Sequence, residues 1–316
     1  MDDIRLSRTF KKSVVLEDLA FGNVDQTNTN AFVSQSATLG NLVLTAGLRY
    51  DFFNFQYEDK LVVDHQILTE SAGIFSPKIS ADFIVNDQLS LFAKVGYGFH
   101  SNDTRVVVAQ SGKEILPKAK GSDIGLIFKP IPSLIITPTL WYLDLEQEFV
   151  YVGDEGIVEP TGRTNRKGLD LSIRYQINDW LFADTDINFT NPTALDSPEG
   201  EDYIPLAPTF ASIGGLGFDF KNGIKGSLRY RYLGDRAAND DNSTIAEGYF
   251  LMDAKISYSK KSFEFGLSVE NILNTEWNEA QFETESRLFD ENESVNEIHF
   301  TPGSPLFAKA SVTFSF

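Results

Sequence analysis

Three histidines are the side chains in this sequence best suited to catalysis or to metal binding, and their spacing argues against both. His65, His100 and His299 lie far apart in a chain that contains no cysteine and no His-x-x-x-His pair. A transition-metal site needs several such ligands close together, so we expect no metal and no cofactor. Ser101 follows His100, but neighbours on a strand point to opposite faces, which separates this hydroxyl from a base. The sequence therefore predicts no catalytic residue and a protein that is not an enzyme.

A second group of side chains is suited to binding a ligand rather than to transforming one. Basic residues can contact an anionic substrate, and tryptophans can stack on a ligand. The candidates are Arg49, Lys94, Arg229, Arg231, Trp141 and Trp277. Two plainer interpretations stay open. The row of Lys225, Arg229 and Arg231 fits equally well with charges that pair with neighbours such as Asp253, and an aromatic belt would account for Trp141 without a ligand.

The elements that must position these residues are β-strands, because apolar residues recur with a period of two. In segments 42–52 and 89–99, every second residue is apolar or aromatic, and the residues between are mostly polar, small or charged. The alternation recurs in segments 169–175, 250–258 and 263–269. Successive side chains on a strand point to opposite faces, so each segment is predicted to be a two-faced strand.

Short and long connections alternate along the chain, as they do in an up-and-down meander. Gly, Asn and Asp, which favour tight hairpins, mark short turns near residues 40, 86, 178 and 222. Long polar segments span residues 12–28, 57–74, 101–118, 146–164, 191–206, 234–247 and 275–304. The pattern predicts about 14 strands, the first at 4–11 and the others starting near residues 30, 41, 76, 89, 122, 133, 167, 180, 208, 224, 249, 263 and 306.

One face of these strands is apolar and aromatic, while the other carries charges such as Arg49, Lys94 and Arg229. A small soluble barrel fills its interior with apolar side chains, so this pattern predicts an all-β, antiparallel, up-and-down transmembrane β-barrel. Lipid would contact Leu44 and Leu48, whereas Arg49 and Lys94 would face an enclosed, wet interior. An open antiparallel sheet with one solvated face also alternates, but it leaves the alternation of turns and loops unexplained.

Composition excludes several classes of protein. The 316 residues include 45 acids and 27 bases, for a net charge of −18, and an acidic chain is poorly suited to nucleic acid. The chain has no apolar run of the ~18 residues that a membrane helix needs. Much of the negative charge lies in the long segments: 275–304 holds eight acids and one arginine. Solubility and mutual repulsion explain this charge, and divalent-cation bridging to lipopolysaccharide or attraction of cationic ligands are alternatives. Asp290, Glu291 and Glu293 lack the spacing of a calcium loop.

The C-terminal segment carries a resemblance to a known family. An apolar strand ending in phenylalanine resembles the signal by which outer-membrane barrels are assembled, with Lys309, Ser311, Phe314 and Phe316 as its residues and serine where glycine is usual. The stretches SVENILNTEWNEAQFETESRL and IHFTPGSPLFAKASVTFSF are similar to the end of TonB-dependent outer-membrane receptors. GLRYDFF, GYGFHSNDTR and LPKAKGSDIGL also resemble strands of these receptors, so the resemblance runs from about residue 29 to the end.

The resemblance also implies what this sequence lacks. Receptors of the family combine a plug domain and a TonB box with a barrel of about 22 strands. Here we expect residues 1–316 to form a single β-barrel domain without a plug, equivalent to the C-terminal part of such a barrel. The start, MDDIRLSRTF, shows no signal peptide, which fits a fragment.

The implied function is uptake of a scarce nutrient of the iron–siderophore, cobalamin or glycan class across the outer membrane of a Gram-negative bacterium. The implied partners are outer-membrane lipid and lipopolysaccharide, the barrel-assembly machinery, and TonB only through a plug that is absent here.

Three other functions remain open on the sequence alone. A complete 14-stranded passive channel or fatty-acid transporter would need paired first and last strands. An outer-membrane enzyme would need a Ser/His/Asn or an Asp/His cluster at the barrel rim, and the sequence shows none. A soluble adhesive or sugar-binding β protein would need a dry, apolar interior.

Overall fold

The computed structural model describes residues 4–10, 14–64, 66–100, 104, 108, 115–152, 157–160, 162–287 and 292–316. His65, Ser101, Asp290 and Glu291 lie outside these residues. Within the described part of the chain, no helix is long and apolar enough to cross a membrane.

The main sheet has 14 strands, which confirms the predicted meander and strand number. Neighbouring strands follow each other in the chain, apart from short hairpins in the long connections. The strands of the main sheet are β1 (Ile4–Phe10), β2 (Val14–Leu39), β3 (Leu42–Asp59), β4 (Ile67–Asn86), β5 (Leu89–Phe99), β6 (Lys118–Ile131), β7 (Leu134–Leu145), β10 (Thr164–Asn178), β11 (Leu181–Ala194), β12 (Phe210–Asp219), β13 (Ile224–Leu233), β16 (Tyr249–Lys260), β17 (Phe263–Glu270) and β20 (Phe307–Phe314).

Three of the segments predicted as long polar loops contain two-stranded hairpins instead. The hairpins are β8 (Phe149–Val152) with β9 (Ile157–Pro160), β14 (Arg236–Ala237) with β15 (Ile245–Ala246), and β18 (Asn278–Ser286) with β19 (Val295–Pro302). These hairpins are short or carry no sustained apolar alternation, so periodicity could not reveal them. The prediction of a loop at 12–28 was also wrong, because most of that segment belongs to β2.

One compact unit of the chain comprises residues 1–81, 94–122 and 143–163. Its strands β2 and β3 pair from Leu39↔Leu42 beside the turn to Gly22↔Asp59. With 18 residues, β3 exceeds the ~9–11 residues that cross a bilayer, so its distal half projects beyond the apolar layer. In this distal half of β3, the face that carries Arg49 becomes apolar. Its buried cluster contains Phe53, Phe55, Ile74, Val108, Ile115 and Leu116.

The second unit comprises residues 82–93, 123–142 and 164–316. Its apolar face carries an aromatic row at each end. Near the turns, Trp180 contacts Phe220 at a ring distance of 4.8 Å. Near the long connections, Phe189 and Phe210 lie 4.6 Å apart, and Tyr232 lies 5.3 Å from Phe210. Trp180 and Phe189 are separated by roughly 30 Å along the strand, or ~23 Å after a tilt of ~40°. This spacing matches the apolar band of a membrane barrel, which is about 25 Å tall.

The tight turns are built from the residue types that the sequence suggested. Gly40 and Gly223 adopt positive φ angles of 61° and 90°. The Asn86 side-chain oxygen accepts hydrogen bonds from the Gln88 and Leu89 amides at 2.8 and 2.9 Å. The Asn178 side-chain oxygen accepts in the same way from the Trp180 and Leu181 amides, at 3.0 Å each. These local bonds fix the strand registers on both sides of each turn.

Candidate functional site

A series of ion pairs crosses one face of the second unit. Its members, which we name the ionic ladder, are Arg174, Asp184, Asp186, Arg229, Arg231 and Asp253. Arg174 binds both oxygens of Asp186, at 2.7 and 2.9 Å. Arg229 binds both oxygens of Asp184, with its Nη2 at 2.8 Å from Oδ2. Arg231 Nη2 lies 3.5 Å from Asp253 Oδ2.

Strand register explains why these charges meet. Asp184 is paired with Arg174 on β10 and with Gly215 on β12, and Gly215 is paired with Arg229 on β13. Paired residues share a face, so the ladder lies opposite the aromatic rows. The sequence left open whether Arg229 and Arg231 contact a ligand or pair with neighbours, and the structure shows both paired with aspartates.

Arg231 and Trp277, two of the candidate binding residues, lie together. The Arg231 guanidinium lies 6.0 Å from the centre of the Trp277 ring, a cation–π arrangement. The Trp277 Nε1 donates to the Ser304 carbonyl at 3.0 Å, and the Tyr249 ring meets the indole edge-on at 4.9 Å. Gly303 packs so tightly that a Cβ there would lie 2.0 Å from the indole. Trp277 therefore fastens the segment before β18 to the segment before β20.

Asn271 lies beside these residues, in the stretch SVENILNTEW that carries part of the family resemblance. The sequence did not indicate its contacts. The side chain is buried, with 3% of the residue exposed. Its Nδ2 donates to the Thr275 and Ser304 carbonyls at 2.8 and 3.2 Å, and its Oδ1 accepts from the Thr275 amide at 2.9 Å. Its own amide donates to Asp253 at 2.9 Å, which ties the junction to the ionic ladder. We call Asn271, Trp277 and Ser304 the C-terminal junction.

Trp141 lies on the same face as the ladder rather than in an aromatic row. Its Nε1 donates to Asp170 Oδ1 at 3.0 Å, and the indole covers Gly168, where a Cβ would lie 2.5 Å from the ring. Asn188 Nδ2 donates to the same Asp170 oxygen. An aromatic belt therefore does not account for Trp141, because belt residues face lipid.

The remaining candidate cations lie in the first unit. Arg49 forms two bonds to Asp51, at 2.7 and 2.8 Å. Asp51 is fully buried and also accepts from Asn28 at 3.2 Å, so this guanidinium is held firmly while 46% of its side chain stays exposed. Lys94 is exposed on β5. Leu44 and Leu48 are also exposed and alternate with Arg49 along β3, as the two-faced pattern predicts.

The predicted assembly segment forms the last strand of the sheet. Lys309 and Ser311 are paired with Ser268 and Gly266 on β17. Ser311 packs where Gly266 has no side chain, since a Cβ on Gly266 would lie 2.6 Å from the Ser311 hydroxyl. Phe314 contacts Phe263 at 4.9 Å, and Phe316 follows at 6.3 Å from Phe314. A role in assembly stays a prediction.

The long connections carry acidic groups with local partners. Hydrogen bonds from the Ser243 hydroxyl and amide hold the pKa of Asp241 below its ordinary value. His299 lies 3.7 Å from Glu297 on the β18–β19 hairpin. Among the described residues, no group of three or more His, Asp or Glu side chains is placed to hold a metal ion.

Comparison with known proteins gives a consistent result. Residues 8–272 match the family model described as TonB dependent receptor-like, beta-barrel. The chain is 27% identical over 173 residues to the ferrioxamine receptor of Yersinia enterocolitica, a match that covers 51% of this chain and 24% of the receptor.

Similar solved structures include the unliganded ferric citrate transporter FecA, with a TM-score of 0.73 and 15% identity, covering 94% of this chain and 46% of FecA. The ferric yersiniabactin uptake receptor FyuA of Yersinia pestis has a TM-score of 0.71 and 11% identity. The match covers 94% of this chain and 47% of FyuA. The copper transporter OprC has a TM-score of 0.72 and 16% identity. The match covers 98% of this chain and 51% of OprC. The chain thus spans about half the length of these structures, and less of the curated relative.

Proposed function

The chain belongs to the TonB-dependent receptor family of outer-membrane β-barrels, and from this premise we propose that it forms part of the barrel wall of a receptor that takes up a ferric siderophore. The ionic ladder would line the barrel interior, and the aromatic rows would face lipid. The protein is located in the outer membrane of a Gram-negative bacterium, as the barrels of this family are.

The observation that carries the proposal is the opposition of two faces in the second unit. One face bears six ladder charges in three pairs, and the other bears rows of aromatic rings whose separation fits a membrane. Charges in a lipid-facing position would be very unfavourable, so we place the ladder on the water-filled side of the barrel wall. A water-filled lumen is a route for a hydrophilic solute.

Similarity to named receptors supports an iron chelate as that solute. The ferrioxamine receptor gives the sequence match, and FecA and FyuA are named for ferric citrate and ferric yersiniabactin. OprC, named for copper, extends the range to another metal. Cobalamin and glycans have no such support here. These relatives are receptors and transporters, which is consistent with a protein that is not an enzyme.

Partners follow from the same proposal. Energised uptake would require a plug domain and, through it, TonB. Lipopolysaccharide would contact the lipid-facing aromatic row near the long connections, and the barrel-assembly machinery would read the β20 segment. A passive 14-stranded channel is the alternative, and it would transport its solute without an energy source.

The test is uptake in the native host. Deletion of the gene that encodes this chain should abolish accumulation of a ⁵⁵Fe-labelled hydroxamate chelate under iron limitation, and a plasmid copy should restore it. Accumulation should also stop when the proton-motive force is collapsed by an uncoupler.

Two results would count against the proposal. Unchanged uptake of hydroxamate, catecholate and citrate chelates in the deletion strain would exclude a ferric-siderophore receptor. Gene-dependent uptake that persists in the presence of the uncoupler would favour the passive channel.

A further inference from the structure

We propose that Asp170 and Trp141 form a subsite for a cationic nitrogen group on the transported ligand. This inference rests on the proposed function and deepens it, because it favours cationic iron chelates over anionic ones. Five observations on the ladder face of the second unit support it.

The first is the state of the Asp170 carboxylate. Trp141 Nε1 and Asn188 Nδ2 both donate to its Oδ1, which fixes the orientation of the group. Within the described part of the chain, no Lys or Arg forms an ion pair with Asp170, and the side chain is exposed. Its neighbours Asp184 and Asp186 are each neutralised by an arginine. Asp170 is therefore a carboxylate without an ion-pair partner beside two carboxylates that are each paired with an arginine.

The second is a recess of about 530 Å³ beside this carboxylate. Besides Asp170 and Asn188, its lining includes the hydroxyl-bearing residues Thr137, Thr139 and Ser172. Such a lining offers hydrogen-bond acceptors to the N–H groups of an ammonium and donors to ligand oxygens.

The third is the Trp141 indole. It is fixed by its bond to Asp170 and by contact with Gly168. An aromatic face beside a carboxylate is well suited to an organic cation, because the ring quadrupole and the ionic charge attract the same group.

The fourth and fifth observations concern charge at the long connections and the geometry of the strands. Segments 191–206 and 234–247 carry eight acids and one arginine between them, and this negative charge attracts cations and repels anionic chelates.

Thr137, Thr139 and Trp141 alternate on β7, so all three project from one face, together with Asp170. The subsite is therefore built on strands rather than on loops.

The test uses the complete receptor in detergent micelles, labelled with 5-fluorotryptophan. The Trp141 resonance is identified as the ¹⁹F signal missing from Trp141→Phe. Titration with n-butylammonium chloride should shift this signal saturably, whereas n-butanol should not. Asp170→Asn keeps the size and the acceptor oxygen but removes the charge, and it should weaken the ammonium response about fivefold.

A matched control separates the subsite from general electrostatics. Asp219→Asn removes one carboxylate from the same face near the turns, where Asp219 pairs with Lys225 at 2.8 Å, and it should leave the titration unchanged. An equal loss in both variants would overturn the proposal. Absence of any ammonium response at Trp141 would also overturn it, including the case in which a cationic side chain of the receptor already binds Asp170.

A second arm distinguishes this inference from the proposed function. The probe is a ferric trihydroxamate chelate with one free terminal amine, compared with the same chelate after acetylation of that amine. Tighter binding of the amine form, with the difference lost in Asp170→Asn, supports the subsite. Equal binding of both forms leaves a siderophore receptor but removes the subsite. Failure to bind either chelate counts against the hydroxamate receptor alone, because the ammonium titration judges the subsite separately.

Discussion

Arg229 forms its two-pronged ion pair with Asp184 across an intervening strand. Asp184 lies on β11 and Arg229 on β13, and Gly215 on β12 is the register partner of both. The guanidinium can cross β12 because Gly215 has no side chain on the ladder face. A glycine in the middle of a strand therefore permits an interaction that links three strands of the barrel wall.

Gly215→Ala should destabilise the barrel. A Cβ at this position would lie 2.0 Å from the Leu228 carbonyl and 3.0 Å from Arg229 Cα, so backbone must move. Overpacking of this kind costs about 1–3 kcal/mol in free energy of unfolding. Gly217→Ala is the matched control on the same strand and face, because a Cβ there meets nothing within 4 Å. Urea unfolding followed by electrophoretic mobility of the folded barrel measures both, and equal effects would refute the steric argument.

Removal of both charges of the Arg229–Asp184 pair should cost less than the sum of the two single removals. The side chains are 40% and 11% exposed, so the attraction is partly screened by solvent. We expect Arg229→Gln or Asp184→Asn to lower the free energy of unfolding by about 1 kcal/mol each, with a coupling energy of about 1 kcal/mol. A double-mutant cycle measures the coupling, and strict additivity would show that the pair contributes nothing as a unit.

Asn271→Ala should weaken the C-terminal junction. The change deletes two bonds to Thr275, which close the turn after β17, and one donation to the Ser304 carbonyl, which joins that turn to the segment before β20. Because the site is buried, the freed backbone groups lose their partners, and we expect a cost of about 2–3 kcal/mol. Asn296→Ala, an exposed residue of the β18–β19 hairpin, is the control. The readout is the urea midpoint together with the fraction of barrel inserted in the outer membrane, and equal values for both variants would contradict the assigned role.

Apolar alternation predicted the strands of the membrane layer well, because lipid on one side and water on the other impose a period of two. It failed in β18 and β19, whose sequences carry no sustained apolar alternation, and where β2 continues beyond the bilayer. It also could not assign Trp141 and Trp277, since the partner of each indole comes from a distant strand or loop. The pairing of Arg229 with Asp184 could not be predicted from alternation either, because it depends on the registers of three strands.

Tyr230→Phe should destabilise the protein although Tyr230 belongs to the apolar face. Its hydroxyl lies 2.6 Å from Thr185 Oγ1 and 2.9 Å from Ser212 Oγ, and its ring packs over Gly214. On a lipid-facing surface no water replaces a lost partner, so the two remaining hydroxyls keep only their bonds to backbone carbonyls. We expect a loss of about 1 kcal/mol in the free energy of unfolding.

Tyr232→Phe provides the control for that prediction, because Tyr232 lies two residues along the same strand and contributes ring packing against Phe210. Its replacement should change the free energy of unfolding by much less, since the packing of the ring is retained. Unfolding in lipid vesicles is the appropriate measurement, because detergent admits water to the apolar face. If both variants are equally stable in vesicles, the hydroxyl cluster is not a source of stability, and Gly214 serves only to accommodate the Tyr230 ring.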